Sequence, residues 1–389
     1  MLANGRTYLA IPGPSVMPER VLGAMHMAAP NIYEGELHDM VARLKPDLAR
    51  VVGTAHNVAI YIGNGHAAWE ASLANVIAPG DKVLVLATGR FGIGWGETAA
   101  RLGAEVEHIR FPWGQPVDPA QVEAHLRAKG PYRAVLVCQV DTATSVKTDI
   151  APIRAAIDAA GSEALLMVDC MASLGCDRFE MDASGADVVT AGCQKGLMTP
   201  PGLAFVFFGP RAEAAQRGDA ASIYWDWRAR AHPEIFFQHF GGTAPTHHLY
   251  GLRAALDMIF EEGLENVWRR HRVLSEAIWA ALEAWDIGGA LRPTVPERAD
   301  RAWSVTTVEA GGDNGQRLRR FVEQQAGVTL GIGLGAEVPA GFFRIGHMGH
   351  VNAHMVLGVL GCIGAGLKAL DIPHGQGGLD AAMDVIARA

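Results

Sequence analysis

The chain has 389 residues, of which 49% are hydrophobic and 19% charged, and its formal net charge is −8. This balance is typical of a globular protein and excludes a mainly disordered one. The negative charge argues against nucleic acid as the main partner, and no apolar run reaches the roughly 18 residues that a membrane span needs. The 46 glycines exceed the roughly 7% share of an average protein, so we ask where the backbone must turn tightly or approach a ligand.

The cysteines indicate the compartment in which the chain folds. There are five, with no C-x-x-C spacing: Cys138, Cys170, Cys176, Cys193 and Cys362. Several stand in apolar runs, which predicts buried free thiols in a reducing environment. The opening segment MLANGRTYLAIPGP has one arginine and no long apolar core, so no signal peptide is predicted. We therefore expect a cytoplasmic protein.

The first part of the chain alternates short apolar runs with amphipathic segments. The apolar runs cover 58–62, 82–86, 133–138, 164–168, 188–191 and 203–208. Because they are almost continuously apolar, they are predicted to be strands buried on both faces of a sheet. The segments between them are predicted helices over 67–76, 95–102, 119–129 and 150–160. This alternation predicts an α/β fold with a mostly parallel sheet.

The pattern changes at about Thr246. The elements predicted beyond it are helices over 250–262, 264–285, 316–325, 355–369 and 379–389, and strands over 302–308 and 341–345. A length near 390 residues favours two domains, or a large domain and a smaller one. We predict a large α/β domain over 13–250 and a small α+β domain over 251–389, with residues 1–12 packing on the small domain or on a partner subunit.

Ligands of open α/β sheets bind beyond the carboxyl ends of the strands, so the residues that follow each strand are the candidates for a site. The first such place is Gly63-Asn64-Gly65-His66. It is either a phosphate cradle at a helix N-terminus or an ordinary tight turn. The dinucleotide pattern G-x-G-x-x-G is broken because Trp69 stands at its last glycine, which argues against a nicotinamide dehydrogenase.

Two charged residues follow later strands. Asp169 comes directly after an apolar run and is either a partner for a cationic ring nitrogen or a structural carboxylate. Lys195 stands between two apolar strands, where a lysine tends to lose its proton and to form Schiff bases. An aspartate and a lysine stand at strand ends 26 residues apart. The pair indicates a functional site more specifically than either residue does alone.

Three further residues are candidates. Phe91 follows a strand and is either a stacking partner for a planar ring or a core residue. Thr142 lies in the polar segment 141–145 at another strand end. Arg344, on a strand of the small domain, either binds a substrate carboxylate bidentately or forms a surface ion pair.

Two features are left without a function. His347, His350 and His354 have spacings that could hold a metal ion, but no acidic third ligand or zincin motif accompanies them, so no metal site is predicted. The tryptophan-rich stretch 224–228 is either an interface or the rim of a pocket, and its role stays open.

The combined pattern resembles the class V aminotransferases, which depend on pyridoxal phosphate, and within them the alanine–glyoxylate and serine–glyoxylate (serine–pyruvate) branch. The resemblance covers nearly the whole chain, and its most specific segments are 65–71, 168–175, 194–196 with 200–202, and 262–268. It implies fold type I of the pyridoxal-phosphate-dependent transferases. It also implies pyridoxal 5′-phosphate as cofactor and a homodimer whose two subunits complete each active site.

The resemblance assigns roles around the cofactor ring. Lys195 would hold the cofactor as an internal aldimine and then act as acid and base. Asp169 would pair with the pyridine nitrogen, and Thr142 would contact the phenolic oxygen. Phe91, where many relatives have tryptophan, and Met171 would pack against the ring.

The resemblance also assigns the phosphate and substrate contacts. Asn64, Gly65, His66 and Gln194 would bind the phosphate, and Thr243 would reach the phosphate of the neighbouring subunit. Arg344 would bind the substrate carboxylate with help from the backbone near Gly13, and Tyr33, also a candidate for substrate binding, resembles a position in pyridoxamine–pyruvate aminotransferase. In the loop after Thr142, Thr144-Ser145 replaces the Thr-Gly or Ser-Gly that is commoner in the family.

The expected reaction is transamination between a small amino acid, serine or alanine, and glyoxylate or pyruvate. Aspartate–glyoxylate transfer is an alternative, with Arg90 and Arg228 as candidates for a second carboxylate. Pyridoxamine–pyruvate transfer is a weaker alternative, because His66 stands where that enzyme has an acidic residue.

A cysteine desulfurase-like lyase would need a mobile cysteine, whereas Cys362 lies in an apolar helical run. A non-catalytic relative would be expected to lack the Asp169–Lys195 pair.

Overall fold

The computed structural model describes residues 2–217, 222–286 and 291–389. Its strands are β1 (Tyr8–Ala10), β2 (Asn57–Gly63), β3 (Lys82–Ala87), β4 (Glu105–Arg110), β5 (Ala134–Cys138), β6 (Val140–Asp141), β7 (Val146–Lys147), β8 (Leu165–Asp169), β9 (Val188–Gly192), β10 (Gly202–Phe208), β11 (Arg292–Pro293), β12 (Val305–Glu309), β13 (Val328–Ile332) and β14 (Phe342–Gly346).

The described residues form fourteen α-helices. They are α1 (Glu19–Met25), α2 (Glu36–Val52), α3 (Gly65–Val76), α4 (Arg90–Arg101), α5 (Pro119–Lys129), α6 (Ala151–Ala159), α7 (Met181–Ser184), α8 (Pro210–Ala214), α9 (Trp227–Ala231), α10 (Thr246–Glu262), α11 (Leu264–Trp285), α12 (Asn314–Ala326), α13 (Ala353–Ala369) and α14 (Gly378–Ala387). Within the described ranges, no helix is long and apolar enough to cross a membrane.

The larger sheet has seven strands in the order β2-β10-β9-β8-β5-β3-β4. β10 runs antiparallel to both of its neighbours, and the other neighbouring pairs are parallel. All six apolar runs predicted as strands lie in this sheet, and the predicted α/β fold is confirmed. The edge strand β4 was not predicted, because its charged and half-buried residues lack the apolar character of a central strand.

The smaller sheet has the order β1-β13-β14-β12-β11. The N-terminal strand β1 pairs in parallel with β13, from Tyr8 opposite Val328 to Ala10 opposite Leu330. The chain then crosses the end of β14, so that residues 11–13 lie beside the large domain. The domain boundaries at 13–250 and 251–389 stay a prediction.

Helix α2 was missing from the sequence-based elements. It runs for 17 residues in spite of Pro46 in its interior, a residue that usually ends or kinks a helix. Its buried side, which includes Leu37, Val41, Leu44 and Leu48, packs into the main hydrophobic core. The burial of this apolar face outweighs the unfavourable proline.

The tryptophan-rich stretch contributes mainly to packing. Trp227 is buried and stacks on Phe208, with ring centroids 4.2 Å apart. The indole N–H of Trp225 donates to the carboxylate of Glu70 at 3.0 Å. These contacts join α9 and the segment before it to the large domain.

A glycine at the end of β14 allows the N-terminal segment to pass. A Cβ atom at residue 346 would overlap the carbonyl of Ile11. We expect Gly346→Ala to lower the free energy of unfolding by about 1–3 kcal/mol, the usual effect of overpacking. The thermal unfolding midpoint checks this expectation.

The matched control is Gly358→Ala in the interior of α13, where an added Cβ would meet no atom within 4 Å. This replacement should stabilise the protein by about 0.5–1 kcal/mol, because glycine is a poor residue inside a helix. Equal effects of the two replacements would contradict the proposed close approach at residue 346.

Candidate active site

A cavity of about 250 Å³ lies beyond the carboxyl ends of the parallel strands of the larger sheet. It is lined by Gly13, Pro14, Asn64, Gly65, His66, Trp69, Phe91, Val140, Thr142, Asp169, Met171, Ala172, Gln194, Lys195 and Pro201. Most of the site residues predicted from the sequence therefore meet in one place. A larger cavity of about 1110 Å³ is lined by none of them and includes the ion-paired Arg292 and Glu309.

The sheet brings Asp169 and Lys195 to the same edge. Asp169 is the last residue of β8, and Lys195 follows the end of β9 by three residues. These strands are parallel neighbours, with Asp169 opposite Thr190. Because the carboxyl ends of parallel strands meet at one edge, both side chains line the same cavity.

Asp169 is a buried carboxylate, 2% exposed, with hydrogen bonds to both oxygens. The backbone N–H of Met171 donates to Oδ1 at 2.6 Å, and the indole N–H of Trp69 donates to Oδ2 at 3.0 Å. The thiol of Cys138 lies 3.8 Å from Oδ2. Burial raises the pKa of Asp169 from 3.8 to about 6, and the donated hydrogen bonds oppose that rise.

Lys195 is enclosed between the N-terminal segment and the sheet. Its Nζ donates to the carbonyl of Pro12. Gly13 has a φ of +93°, a conformation that favours glycine, and a Cβ there would lie 2.5 Å from Nζ. Burial lowers the pKa of Lys195 from 10.5 to about 8, helped by the positive charge of Arg344 and opposed by Asp169. The amine is thereby brought closer to the neutral form that attacks carbonyl carbons.

The opposite end of the cavity is suited to an anion. Helix α3 begins at Gly65, and the side chain of its N-cap, Asn64, accepts from the N–H of His66 at 3.1 Å. The first turn contains no acidic residue, so the positive end of the helix is not neutralised there. In the described part of the chain, the buried Oε1 of Gln194 has no hydrogen-bond partner. Because amide orientation is assigned from partners, this side chain can also present its NH₂ group.

Phe91 and Thr142 are held by a carboxylate that the sequence analysis did not single out. Asp141, fully buried at the end of β6, accepts from the N–H groups of Phe91 and Gly92 at 2.9 and 3.1 Å. It also accepts from the N–H of Ala143 at 3.0 Å, which fixes the loop that carries Thr142. Burial raises the pKa of Asp141, and these three donors oppose the rise.

Arg344 lies beside the cavity on β14. Its Nε donates to the carbonyl of Ile332 at 2.7 Å and its Nη1 to the carbonyl of Thr142 at 2.8 Å. Its Nη2 has no hydrogen-bond acceptor among the residues that the structure describes. Burial lowers the pKa of Arg344 to about 10, with Asp141 opposing the change. The guanidinium is thus fixed in place with one donor nitrogen available.

Besides Arg344, which lies beside the cavity, two predicted residues do not line the cavity of their own chain. Tyr33 is 84% exposed in the loop before α2. Thr243 is exposed in the loop before α10. Neither therefore has a described contact with Lys195 or Asp169 in the same chain.

The residues present fit pyridoxal 5′-phosphate. A buried carboxylate is suited to the cationic ring nitrogen, and an amine of lowered pKa is suited to the aldehyde. A helix N-terminus without an acidic residue in its first turn, beside the unpartnered amide of Gln194, is suited to the phosphate. Phe91 and Met171 offer apolar surface between these ends. Together, the fold and the cavity define a pyridoxal-phosphate-dependent enzyme of fold type I.

The sequence comparisons specify the family. The family described as "Aminotransferase class-V" matches residues 7–345. A serine–glyoxylate aminotransferase of Methylorubrum extorquens is 36% identical over 382 residues, covering 94% of this chain and 92% of the relative. An L-aspartate–glyoxylate aminotransferase of Paracoccus denitrificans is 36% identical over 354 residues, covering 89% of this chain and 87% of the relative. The chain belongs to the class V aminotransferases.

A comparison of structures agrees. A pyridoxamine–pyruvate aminotransferase of Mesorhizobium loti superposes with a TM-score of 0.89 and 27% sequence identity, covering 98% of this chain and 97% of that one. The protein is therefore a transaminase whose cofactor is pyridoxal 5′-phosphate.

The raised pKa of Asp169 makes the stability of the cofactor-free protein depend on pH. The folded protein holds this proton more tightly than the unfolded chain, so the free energy of unfolding falls as the pH rises from about 4 to about 6. The full effect is about 3 kcal/mol, at about 1.4 kcal/mol for each pKa unit. We expect Asp169→Asn to reduce this slope, measured as the thermal midpoint against pH.

Part of the slope should remain, because burial also raises the pKa of Asp177 to about 6. The control is Asp313→Asn, at an exposed carboxylate before α12, which should leave the slope unchanged. An unchanged slope in Asp169→Asn would show that this carboxyl group does not hold its proton in the folded state.

Proposed function

We propose that the enzyme transfers the amino group of a small amino acid, serine or alanine, to glyoxylate or pyruvate. The observation that carries this proposal is the cavity of about 250 Å³ in which Asp169 and Lys195 lie together. Lys195 is the only lysine or arginine among the described residues that line it. A substrate with one carboxylate, bound by the adjacent Arg344, suits such a cavity better than a dicarboxylate.

Lys195 and Asp169 carry the proton chemistry in this proposal. Pyridoxal phosphate supplies a ring that accepts electrons and so makes the α-proton of a bound amino acid acidic enough to leave. Asp169 keeps the ring nitrogen protonated, and a cation beside the carboxylate favours its ionised form. With the cofactor bound, the Nζ of Lys195, with its pKa lowered to about 8, would take the α-proton from the substrate and deliver it to C4′ of the cofactor.

The remaining predicted residues bind and orient. Asn64, Gly65, His66 and Gln194 hold the phosphate at the start of α3. Phe91 and Met171 would hold the faces of the ring, and Thr142 would contact its phenolic oxygen. Arg344 holds the substrate carboxylate through its available Nη2, with the backbone at Gly13 beside it.

Aspartate is the second candidate donor, because the relative from Paracoccus denitrificans is as similar as the one from Methylorubrum extorquens. A second carboxylate would need a second cation. Arg90 does not line the cavity, and its guanidinium forms a double hydrogen bond with Glu97 at 3.1 Å. Arg228 is paired with Asp226.

The free thiols support a cytoplasmic location. All five cysteines are unpaired, and Cys138, Cys170, Cys176 and Cys193 are buried. Unpaired cysteines are typical of proteins in reducing compartments.

The reaction of the loaded enzyme with single amino donors tests the proposal. Serine, alanine, aspartate and pyridoxamine are each mixed with the protein, and loss of the cofactor's visible absorption band is followed. We expect serine or alanine to react fastest. Lys195→Met should lose the band and slow the reaction by at least 10²–10⁴-fold, since acid–base catalysis alone is worth about that much.

Lys45→Met is the matched control. Lys45 is a half-buried lysine whose pKa is also lowered to about 8 by burial, but it donates to the carbonyl of Arg230 and does not line the cavity. This variant should keep the band and the rate. A Lys195→Met protein that retained the band would contradict the proposal, and a fastest reaction with aspartate or pyridoxamine would replace the proposed donor.

We also propose a homodimer in which Tyr33 and Thr243 act on the neighbouring subunit's site. Both are exposed and do not line their own cavity. Large apolar side chains are exposed nearby: Ile62 stands two residues before Asn64, and its carbonyl accepts from Tyr224 at 3.4 Å. Single exposed apolar side chains are normal, but a group of them beside a site, such as Ile62 with Tyr224, supports an interface there.

Light scattering should give twice the chain mass of 41.4 kDa. Ile62→Asp should weaken the dimer at least tenfold, because a charge would be buried at the interface. Met383→Asp is the control, since Met383 is 43% exposed and Ile62 is 42% exposed. A monomeric wild-type protein, or equal effects of the two replacements, would contradict this arrangement.

A further inference from the structure

The buried carboxylate of Asp169 has a side-chain donor that no role assigned so far explains. The indole N–H of Trp69 donates to Oδ2 at 3.0 Å, while the N–H of Met171 donates to Oδ1 at 2.6 Å. One donor on each oxygen fixes the plane of the carboxylate. Of the two, only the contact from Trp69 depends on the identity of a side chain.

Trp69 is itself held in place. It is 2% exposed in α3, stacks on Trp95 with ring centroids 6.1 Å apart, and meets Phe91 edge to face at 6.3 Å. These contacts restrict the indole ring, so its N–H points at one acceptor. A donor fixed by packing loses little conformational entropy when it forms its hydrogen bond.

The hydrogen bond favours one protonation state of the acceptor. An indole nitrogen donates and does not accept, so it stabilises the ionised carboxylate over the neutral acid. Burial works in the opposite direction on the same group. The Cys138 thiol, 3.8 Å from Oδ2, is a weaker donor on the same side.

We propose that Trp69 is a positioning residue that fixes Asp169, through its indole N–H, in the plane and the ionised form required by a cationic ring nitrogen. The proposal rests on the proposed function, since it takes Asp169 as the partner of the cofactor ring. Trp69 acts through Asp169, although it also lines the cavity.

A second tryptophan allows a matched test. Trp95 is buried and stacks on Trp69, but in the described part of the chain its indole nitrogen has no hydrogen-bond partner. Trp69→Phe and Trp95→Phe therefore remove the same atoms from the same aromatic cluster. Only the first removes a donor from Asp169.

The main readout is the dissociation constant for pyridoxal 5′-phosphate, measured by equilibrium dialysis across pH. We expect Trp69→Phe to raise it about 10- to 100-fold at neutral pH, the usual effect of losing a hydrogen bond to a charged group. Affinity should fall as the pH falls through the pKa of Asp169. Without the indole donor the pKa of Asp169 rises, so the affinity of Trp69→Phe should begin to fall at a pH about one unit higher than in the wild type. Trp95→Phe should change the constant less than threefold and leave the pH midpoint unchanged.

A second measurement needs no change at Trp69. In the cofactor-free wild-type protein, one of the nine tryptophan indole N–H signals should move in the NMR spectrum near pH 6, where Asp169 titrates. That movement should be absent in Asp169→Asn. A spectrum with no such indole signal overturns the proposal even where Trp69→Phe does not fold.

The outcomes separate the two proposals. A wild-type protein that does not bind pyridoxal 5′-phosphate contradicts the proposed function. A wild-type protein that binds it, with equal dissociation constants and pH midpoints in Trp69→Phe and Trp95→Phe, overturns the role of Trp69 alone. A larger loss of cofactor affinity in Trp69→Phe than in Trp95→Phe, with an unshifted pH midpoint, also overturns the role of Trp69. Such a loss would report changed packing only.

Discussion

The buried carboxylate of Asp169 is the constraint on which the site depends. A charge at a strand end in the interior is unfavourable unless nearby groups donate hydrogen bonds or carry the opposite charge. Trp69 and Met171 supply donors, and Lys195 supplies an amine whose lowered pKa the carboxylate partly restores. Asp169 and Lys195 meet because β8 and β9 are parallel neighbours, and helix α3 carries Trp69 to the same carboxylate. The packing of the sheet therefore also sets the protonation of the site.

The small sheet fixes the other side of the cavity. The loop after β6 carries Thr142, and Arg344 on β14 donates to its carbonyl. Thr307 on β12 donates its N–H to Ser145 at 3.0 Å and its hydroxyl to the carbonyl of Ala143 at 3.1 Å. Ser145 has a φ of +61°, which is unfavourable for a residue other than glycine. The hydrogen bond from Thr307 to the Ser145 hydroxyl offsets that cost, and a glycine at this position could not accept it.

The sequence predicts the parts of the molecule that depend on local pattern. The buried strands and most helices follow from apolar periodicity, and Asp169 and Lys195 follow from their positions at strand ends. Helix α2 was missed because Pro46 is unfavourable in isolation and only burial of the apolar face compensates for it. Trp69 and Asp141 were missed as partners of the site because their hydrogen bonds join residues 100 and 50 positions apart. No periodicity reports the direction of a side chain over such distances.

A transaminase accepts an amino acid and an oxo acid in turn at one place, and the two substrates share a carboxylate. A fixed cation recognises that shared group, whereas the rest of the cavity must discriminate by size. Arg344 is fixed by two backbone carbonyls. Gly13 and Phe91 line the cavity of about 250 Å³, and neither adds a second cation. In the proposed reaction, selection of small donors then rests on volume. Discrimination by volume is limited to about 10–200-fold for each methylene group, because apolar pockets distinguish similar side chains weakly.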